Sequence, residues 1–446
     1  MDKKNVVIVG GGTAGWLTAS ILLSDKNKTV NVTIIEDEYL SPIGVGEGTT
    51  VDFYRLMESL KIEHDSIGAT KKYGIHYLDW YSNNLSKYNS WFHPFYKSSY
   101  DTYNKLVTNY DYDKIMNPAE LYHNNDRLVG LHFNAGDLIS VLKEKCLKME
   151  NPITSPCNYI KSTVVDCELD EKGNINSVIL KGDKKIKGDF FVDCTGFKRV
   201  LISKMKPKFI DYSNELICDR ALVTQLNNTN EYGHYWTRAT ALSSGWSWNI
   251  PTQNKTGTGY VYSSQFISDD DAKKEFNKHL ATDEDFRVIK WKTEVIDIPF
   301  IKNCITIGLS SGFFEPMEAT NIQLIQGHGI MFRRFLRNNC SNDMKESLNN
   351  MHKWFVNHIW SYLFFHYYLS KRDDSKFWNY ISKEVSIPDS MKENLNKTWP
   401  DFINFSKDEF RINNLSNKIN NKNSEIPLQL ISWLYLFSGY NIELES

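Results

Sequence analysis

The chain has 446 residues and a net charge of −2, so it can bury a full core in two or three lobes but carries no field that would recruit nucleic acid or an anionic membrane. No apolar run approaches the ~20 residues of a membrane span, and seven cysteines without a Cys-x-x-Cys pair point to reduced structural thiols, a cytoplasmic location and no metal site. A 13% aromatic content suits a protein that handles a flat cofactor or substrate.

The first element starts almost at once, which leaves no room for a secretion signal. Asn5 to Ser20, NVVIVGGGTAGWLTAS, places the β-formers Val6 to Val9 before Gly10, Gly12 and Gly15. These glycines suit a tight turn, close approach of the backbone to a pyrophosphate, and close packing of helix on strand. A helix starting near Thr13 and Ala14 would aim free N–H groups at the diphosphate. A second strand, Val32 to Ile35, ends in Glu36, placed to accept a ribose hydroxyl. The pattern predicts a dinucleotide site.

Pro42 to Thr49 is too glycine-rich for a regular element, and with Gly46 and Glu47 it reads as a strap beside the cofactor. Val51 to Leu60 reads as a helix. Tyr73 to Trp80 reads as a strand, with Lys71 and Lys72 leading into it on opposite faces. Asn83 to Tyr112 reads as a substrate-side loop and His132 to Glu150 as a helix. Thr163 to Leu169 and Ile175 to Lys181 form a hairpin around Lys172-Gly173. Asp189 to Gly196 is a buried strand that returns to the first sheet.

From Leu222 to Ile298 the chain is strand-like and aromatic, and Cys304 to Gly308 is another buried strand. From Ile322 onward it is helical, with Met344, Leu348, Met351, Phe355 and Ile359 at core spacing. Ile412 to Ile426 reads as a polar mobile stretch, and Leu428 to Phe437 as an apolar one that docks back. The expected fold is α/β: a Rossmann-like FAD-binding domain of the aromatic-hydroxylase type, with an inserted antiparallel sheet and a C-terminal helical region. The expected division is a discontinuous FAD-binding module over 1–335, its substrate-side β-layer at about 205–300, and a helical substrate-side region over 336–446.

At Trp246-x-Trp248-x-Ile250-Pro251 the sequence resembles the flavin-dependent halogenases of the tryptophan-halogenase family. The resemblance continues through Gly44-Val-Gly-Glu-Gly-Thr49, Asp193-Cys-Thr-Gly196, Gly259-Tyr-Val, Gly308-Leu-Ser-Ser311, Glu315-Pro-Met-Glu318 and Arg372-Asp-Asp374. It implies that FAD, used as FADH2, reacts with O2 and halide to give hypohalous acid, which travels to a separate chamber. There Lys72 would hold the oxidant and Glu318 would assist electrophilic substitution. His93 and Phe95 would stack on the substrate ring, and Trp246, Trp248 and Pro251 would flank the passage. Thr320 and Asn321 would hold halide through their backbone, while Gly308, Leu309 and Ile322 would join the FAD contacts. Implied partners are a separate flavin reductase and an aromatic substrate, small or carrier-bound. No nucleic-acid or membrane partner is expected, and an oligomer is compatible.

Two departures stand out. The family's Glu-Ser-Thr-Gly is Glu318-Ala-Thr-Asn321 in this chain, which puts halide affinity in question, because Asn adopts a left-handed backbone less freely than Gly. The segment after Asp374 is also short, and it places Leu428 where an aromatic third wall would stand. The expected substrate is therefore an electron-rich aromatic other than free tryptophan. The alternatives are an FAD-dependent aromatic hydroxylase and a flavin-binding protein without turnover.

Overall fold

The computed structural model describes residues 3–25, 30–37, 44–81, 90–95, 129–148, 157–227 and 235–398, together with the backbone of 403–406 and 409–412. The expectations for Ile412 to Ile426, Leu428 to Phe437 and Leu428 itself fall outside the described residues, as does most of Asn83 to Tyr112.

The first strand, Lys4–Val9, is central to a six-stranded sheet. It pairs in parallel with Val30–Glu36 on one side and Phe190–Asp193 on the other. Asn158–Lys161 extends one flank, while Cys304–Thr306 and the antiparallel Phe300–Ile301 extend the other. Val6, Val7, Ile8 and Val9 are all buried, which is how a parallel strand covered on both faces reads. The strands end together at Val9, Glu36, Asp193 and Thr306, and the carboxyl edge they form is where open parallel sheets bind ligands. The hairpin of Val164–Leu169 and Ile175–Leu180 is present as expected.

Asp193 is fully buried at that edge and ties down the turn after its strand. Its Oδ1 accepts from the Thr195 amide at 3.0 Å and hydroxyl at 2.6 Å, and its Oδ2 from the amides of Leu201 and Ile202, both at 2.9 Å. Asp193→Ala is expected to lower stability by about 3–5 kcal/mol, because it strands several buried donors at once. Chemical denaturation read by tryptophan fluorescence checks this, and a loss below about 1 kcal/mol would show that the turn holds without the carboxylate.

The second sheet has seven strands, in the order Arg287–Lys290, Arg220–Asn227, Lys255–Tyr262, Gly245–Pro251, Trp236–Leu242, Gly74–Leu78, Ser90–Pro94. All pairings are antiparallel except Trp236–Leu242 with Gly74–Leu78. The sheet is thus wider than the 205–300 segment. Ser90–Pro94 is a strand rather than the expected loop, because Trp91, Phe92 and His93 are buried against its neighbours. Within the strand-like region lies a helix, Asp269–Leu280, whose cap Ser268 accepts from the Asp271 amide and whose first turn holds three aspartates. Gly130–Phe133 is likewise a strand, so the helix expected from His132 spans Ala135–Lys148.

Helices Thr320–Arg337 and Asn342–Tyr368 cover the two sheets. Of the predicted stripe, Leu348 and Ile359 are buried and Met344, Met351 and Phe355 half-buried. Arg372 binds Asp374 with two parallel hydrogen bonds of 2.8 and 2.9 Å and donates to the carbonyls of Asp79 and Ala241, which pins the chain after the long helix to the second sheet. No helix among the described residues is long and apolar enough to cross a membrane.

Candidate active site

A cavity of about 700 Å³ opens at the carboxyl edge of the parallel sheet, between it and the second sheet. Gly10, Gly12, Thr13 and Ala14 line it, with Glu36, Gly46, Glu47, Gly308, Leu309 and Ile322. Gly15 stands behind this wall, where a Cβ would lie 1.9 Å from the Gly10 carbonyl oxygen. A Cβ on Gly12 would instead meet no protein atom within 4 Å, so that glycine leaves free space on the cavity side. Helix Thr13–Leu23 begins there with no side-chain cap, and its first N–H groups are open to an anion. Glu36 Oε2 is held by Lys143 and by Tyr159 Oη at 2.7 Å. Lys143, which also lines the cavity, is a contact that sequence pattern alone does not reveal. Burial pushes the Glu47 carboxyl up to about 7.

The other wall comes from the second sheet. Trp246 and Trp248 line it together with Ile250, their rings 6.1 Å apart. Trp248 fits because its strand partner is Gly259, where a Cβ would come within 2.2 Å of the indole. Pro251 lies outside the lining, and its carbonyl accepts from Thr70 Oγ1 at 2.8 Å.

Lys72 ends the short strand Thr70–Lys72, which pairs with Gly130–Phe133. It is 1% exposed and lines the cavity. Its Nζ lies over the Phe95 ring, 5.0 Å from the centroid. A Cβ on Gly48 would sit 3.0 Å from Nζ, so the strap glycine makes room for the amine. Burial pulls its pKa down from the usual lysine value to about 7, against the opposing charge of Glu318. Lys71, one residue earlier, is only half-buried.

Glu318, 5% exposed, is gripped on several sides. Tyr77 Oη donates to it, His93 Nδ1 stands 3.2 Å from Oε2, and His366 Nε2 stands 3.2 Å from Oε1. Burial alone would raise its pKa, but the two histidines outweigh that and hold the carboxyl well below the usual range. Glu318 is therefore ionised, and it does not cap helix Thr320–Arg337, whose start has no side-chain cap. Tyr77 and His366 are not evident from sequence: each sits among apolar neighbours, and only the fold turns its polar atom toward Glu318. His93, expected as a ring wall, has its Nδ1 edge committed to this carboxylate.

The residue in the left-handed region is Ala319, at φ 58°, not Asn321, which belongs to helix Thr320–Arg337. This corrects the expectation that Asn321 must replace a left-handed glycine. Asn321 lines the cavity and donates through Nδ2 to the Phe314 carbonyl at 3.3 Å, while Thr320 Oγ1 is buried without a hydrogen-bond partner.

A deep, aromatic-walled chamber at the carboxyl edge of such a sheet, floored by a glycine turn, is the arrangement of dinucleotide-dependent oxidoreductases. The sequence profile of the tryptophan halogenase family matches residues 5–419. The chain belongs to this family and is a flavin-dependent halogenase. It is 29% identical to tryptophan 6-halogenase SttH of Streptomyces toxytricini, over 89% of this chain and 84% of that one. Its fold is similar to that of a tryptophan halogenase from Shewanella frigidimarina NCIMB 400, with TM-score 0.82 and 25% identity over 99% of this chain and 90% of that one. It is also similar to Xcc4156, a flavin-dependent halogenase from Xanthomonas campestris, with TM-score 0.80 and 25% identity over the same shares.

Family membership brings FAD and halide, and the residues present fit FAD. The open space at Gly12, the uncapped helix start and Glu36 at the end of the second strand would receive diphosphate and ribose, and the tryptophan wall would flank the flavin ring.

Proposed function

We propose that the protein halogenates an electron-rich aromatic other than free tryptophan, using Lys72 to receive the halogen and Glu318 to assist substitution. The observation that carries this reading is Lys72, a buried amine on the cavity wall whose ionisation is shifted toward neutrality and coupled to Glu318. Bound FADH2, supplied by a separate flavin reductase, provides hypohalous acid from O2 and halide. The Lys72 nitrogen then takes the halogen: an N–X bond forms as O–X breaks, and the departing oxygen leaves as water with the proton the amine loses. The ring then takes the halogen: a C–X bond forms as N–X breaks, its electron pair returning to the Lys72 nitrogen. Glu318, ionised, stabilises positive charge on the ring, accepts its proton and lets that proton restore the Lys72 amine. In this reading residues 1–335 bind the cofactor, 336–446 close the substrate side, and the backbone at Thr320 and Asn321 holds halide.

Free tryptophan would bring a charged amine and a carboxylate, and burying those unpaired costs several kcal/mol. A site without those charged partners can still hold a phenol or indole by stacking on a ring such as Phe95, worth about 0.5–1.5 kcal/mol beyond area burial. Bromide or iodide, being more easily oxidised, should be favoured over chloride. The test is mass spectrometry of products from the purified protein with FADH2, O2 and a panel of phenols, indoles and free tryptophan, with and without bromide. Halide-dependent products from the simple rings are expected. Efficient single-position chlorination of free tryptophan would overturn the substrate assignment, and products carrying oxygen but no halogen would favour the hydroxylase.

The pH profile follows from the shifted lysine. Because the folded-state pKa is lowered, the reactive neutral amine prevails above about 7. Halogenation should rise through that region and then level off, while Glu318 stays ionised throughout. Glu318→Gln removes the charge that raises the Lys72 pKa, so the midpoint should move to lower pH as the plateau rate falls. Initial rates across pH in constant-ionic-strength buffers decide it. A rate that falls through pH about 7 would make the ammonium, acting as a hydrogen-bond donor, the working form of Lys72 in place of the amine.

A further inference from the structure

The loop Phe314 to Asn321 carries two buried glutamates three residues apart, and the halogenation chemistry draws on Glu318 alone. Glu315 is 2% exposed and does not line the cavity, although Pro316 and Met317 beside it do. Both of its hydrogen bonds end on one oxygen: Oε2 accepts from Trp246 Nε1 at 3.0 Å and from Tyr367 Oη at 2.6 Å. Its Oε1 is buried with no hydrogen-bond partner. Tyr367 is met in turn by the thiol of Cys218, 3.5 Å from its hydroxyl. All four residues are at least 98% buried.

A carboxyl placed this deep is expensive to keep, since taking it from water costs several kcal/mol that two donors on one oxygen only partly restore. Packing alone would be served as well by an apolar residue. What the carboxyl does determine is the direction of one side chain. With Nε1 drawn toward Glu315, the Trp246 N–H is turned away from the cavity and the ring presents carbon to it. The same indole packs against Trp80 and Trp248, with ring centroids 6.4 and 6.1 Å away, and the bond from Nε1 to Glu315 is what specifies which edge of it faces the cavity.

We propose that Glu315 is a positioning residue: it holds Trp246 as a closed, apolar part of the cavity wall, so that hypohalous acid reaches Lys72 instead of escaping or being consumed on the way. This rests on the halogenation proposed above. Glu315 touches neither substrate nor cofactor and acts only through Trp246. Its partner Tyr367, on the long helix, makes the anchor rigid by holding the carboxyl itself.

The test measures coupling, the halogenated product formed per FADH2 consumed, together with hypohalous acid escaping to solution, trapped by a cyclic 1,3-diketone. Glu315→Gln keeps an acceptor for the indole N–H and should retain coupling within about twofold, whereas Glu315→Ala should lower it about tenfold, the scale of one lost buried hydrogen bond. The trapped halogenated diketone should rise in proportion, with FAD affinity unchanged. Because coupling is a ratio, a smaller folded fraction does not move it. Should Glu315→Ala fail to fold, Trp246→Phe, which removes the donor and keeps a ring, is expected to show the same leak. Wild-type coupling in both Glu315→Ala and Trp246→Phe would overturn the proposal, as would a Gln variant that leaks as much as the Ala variant. A wild-type protein that gives no halogenated product at all would overturn the function itself, so the two failures are distinguishable.

Discussion

Lys72→Ala is expected to reduce halogenated product at least about a hundredfold, the scale of losing a covalent nucleophile, while FAD affinity stays within about twofold of wild type. The separation follows from where the residue sits. Lys72 enters the cavity from the Thr70–Lys72 strand, whereas the glycine turn and Glu36 belong to the parallel sheet. Removing the amine leaves the diphosphate contacts untouched and empties only the point at which oxidant would be received. Oxidant should still form, so trapped hypohalous acid should rise as product falls. A lysine is hard to replace at this point, since Arg stays charged at every relevant pH and cannot supply a neutral nitrogen. Lys72→Arg is thus expected to be nearly as inactive as Lys72→Ala. Near-normal halogenation by Lys72→Ala, measured with externally supplied FADH2, would remove the lysine from the mechanism.

The second large effect is at the other end of the cavity. Gly15→Val is expected to abolish FAD binding, because a Cβ there meets backbone, 1.9 Å from the Gly10 oxygen and 3.0 Å from its carbonyl carbon. Gly10 has no room to retreat: its φ of 118° is open only to glycine, and its own Cβ position is 2.2 Å from the Cys194 carbonyl oxygen. The start of helix Thr13–Leu23 would have to move away from the sheet, taking its free N–H groups with it. Gly12→Ala is the control, since no protein atom lies within 4 Å of the added methyl. It should fold normally and lose FAD only through occupation of the ligand's space. Equilibrium binding of FAD with a parallel thermal melt separates the two, and a flavin-replete Gly15→Val protein would show that the dinucleotide lies elsewhere.

The glycine turn is legible in the sequence because Gly10 and Gly15 are each fixed by a local constraint that leaves one residue type, while Gly12 keeps the ligand's space clear. The pairing of Trp248 with Gly259 shows only in the structure, where the large ring lies over a partner without a side chain. Other features have no such local mark. Ser90–Pro94 reads as loop because its five residues lie in a polar, aromatic stretch, and only pairing with Gly74–Leu78 makes them a strand. Helix Asp269–Leu280 does carry a signal, a serine cap followed by three aspartates, but strongly β-like surroundings outweigh it. The partners of Glu318 cannot be read at all. Tyr77 is a strand residue and His366 a helix residue, and what joins them is the meeting of the second sheet with the long helix. The backbone of Asn321 differs from expectation for a subtler reason: the left-handed turn is made two residues earlier, at Ala319.

Glu318 meets Tyr77 across 241 residues of chain and His93 across 225. At ribosomal speeds such a separation is on the order of ten seconds or more of synthesis, during which Lys72 exists without the carboxylate that tunes it. The same late stretch that carries Glu318 also supplies Gly308, Leu309 and Ile322 to the cavity. A nascent chain therefore lacks part of the chamber in which oxidant would be made for as long as it lacks the acid that would put oxidant to use. Both capacities draw on one length of about fifteen residues, Gly308 to Ile322.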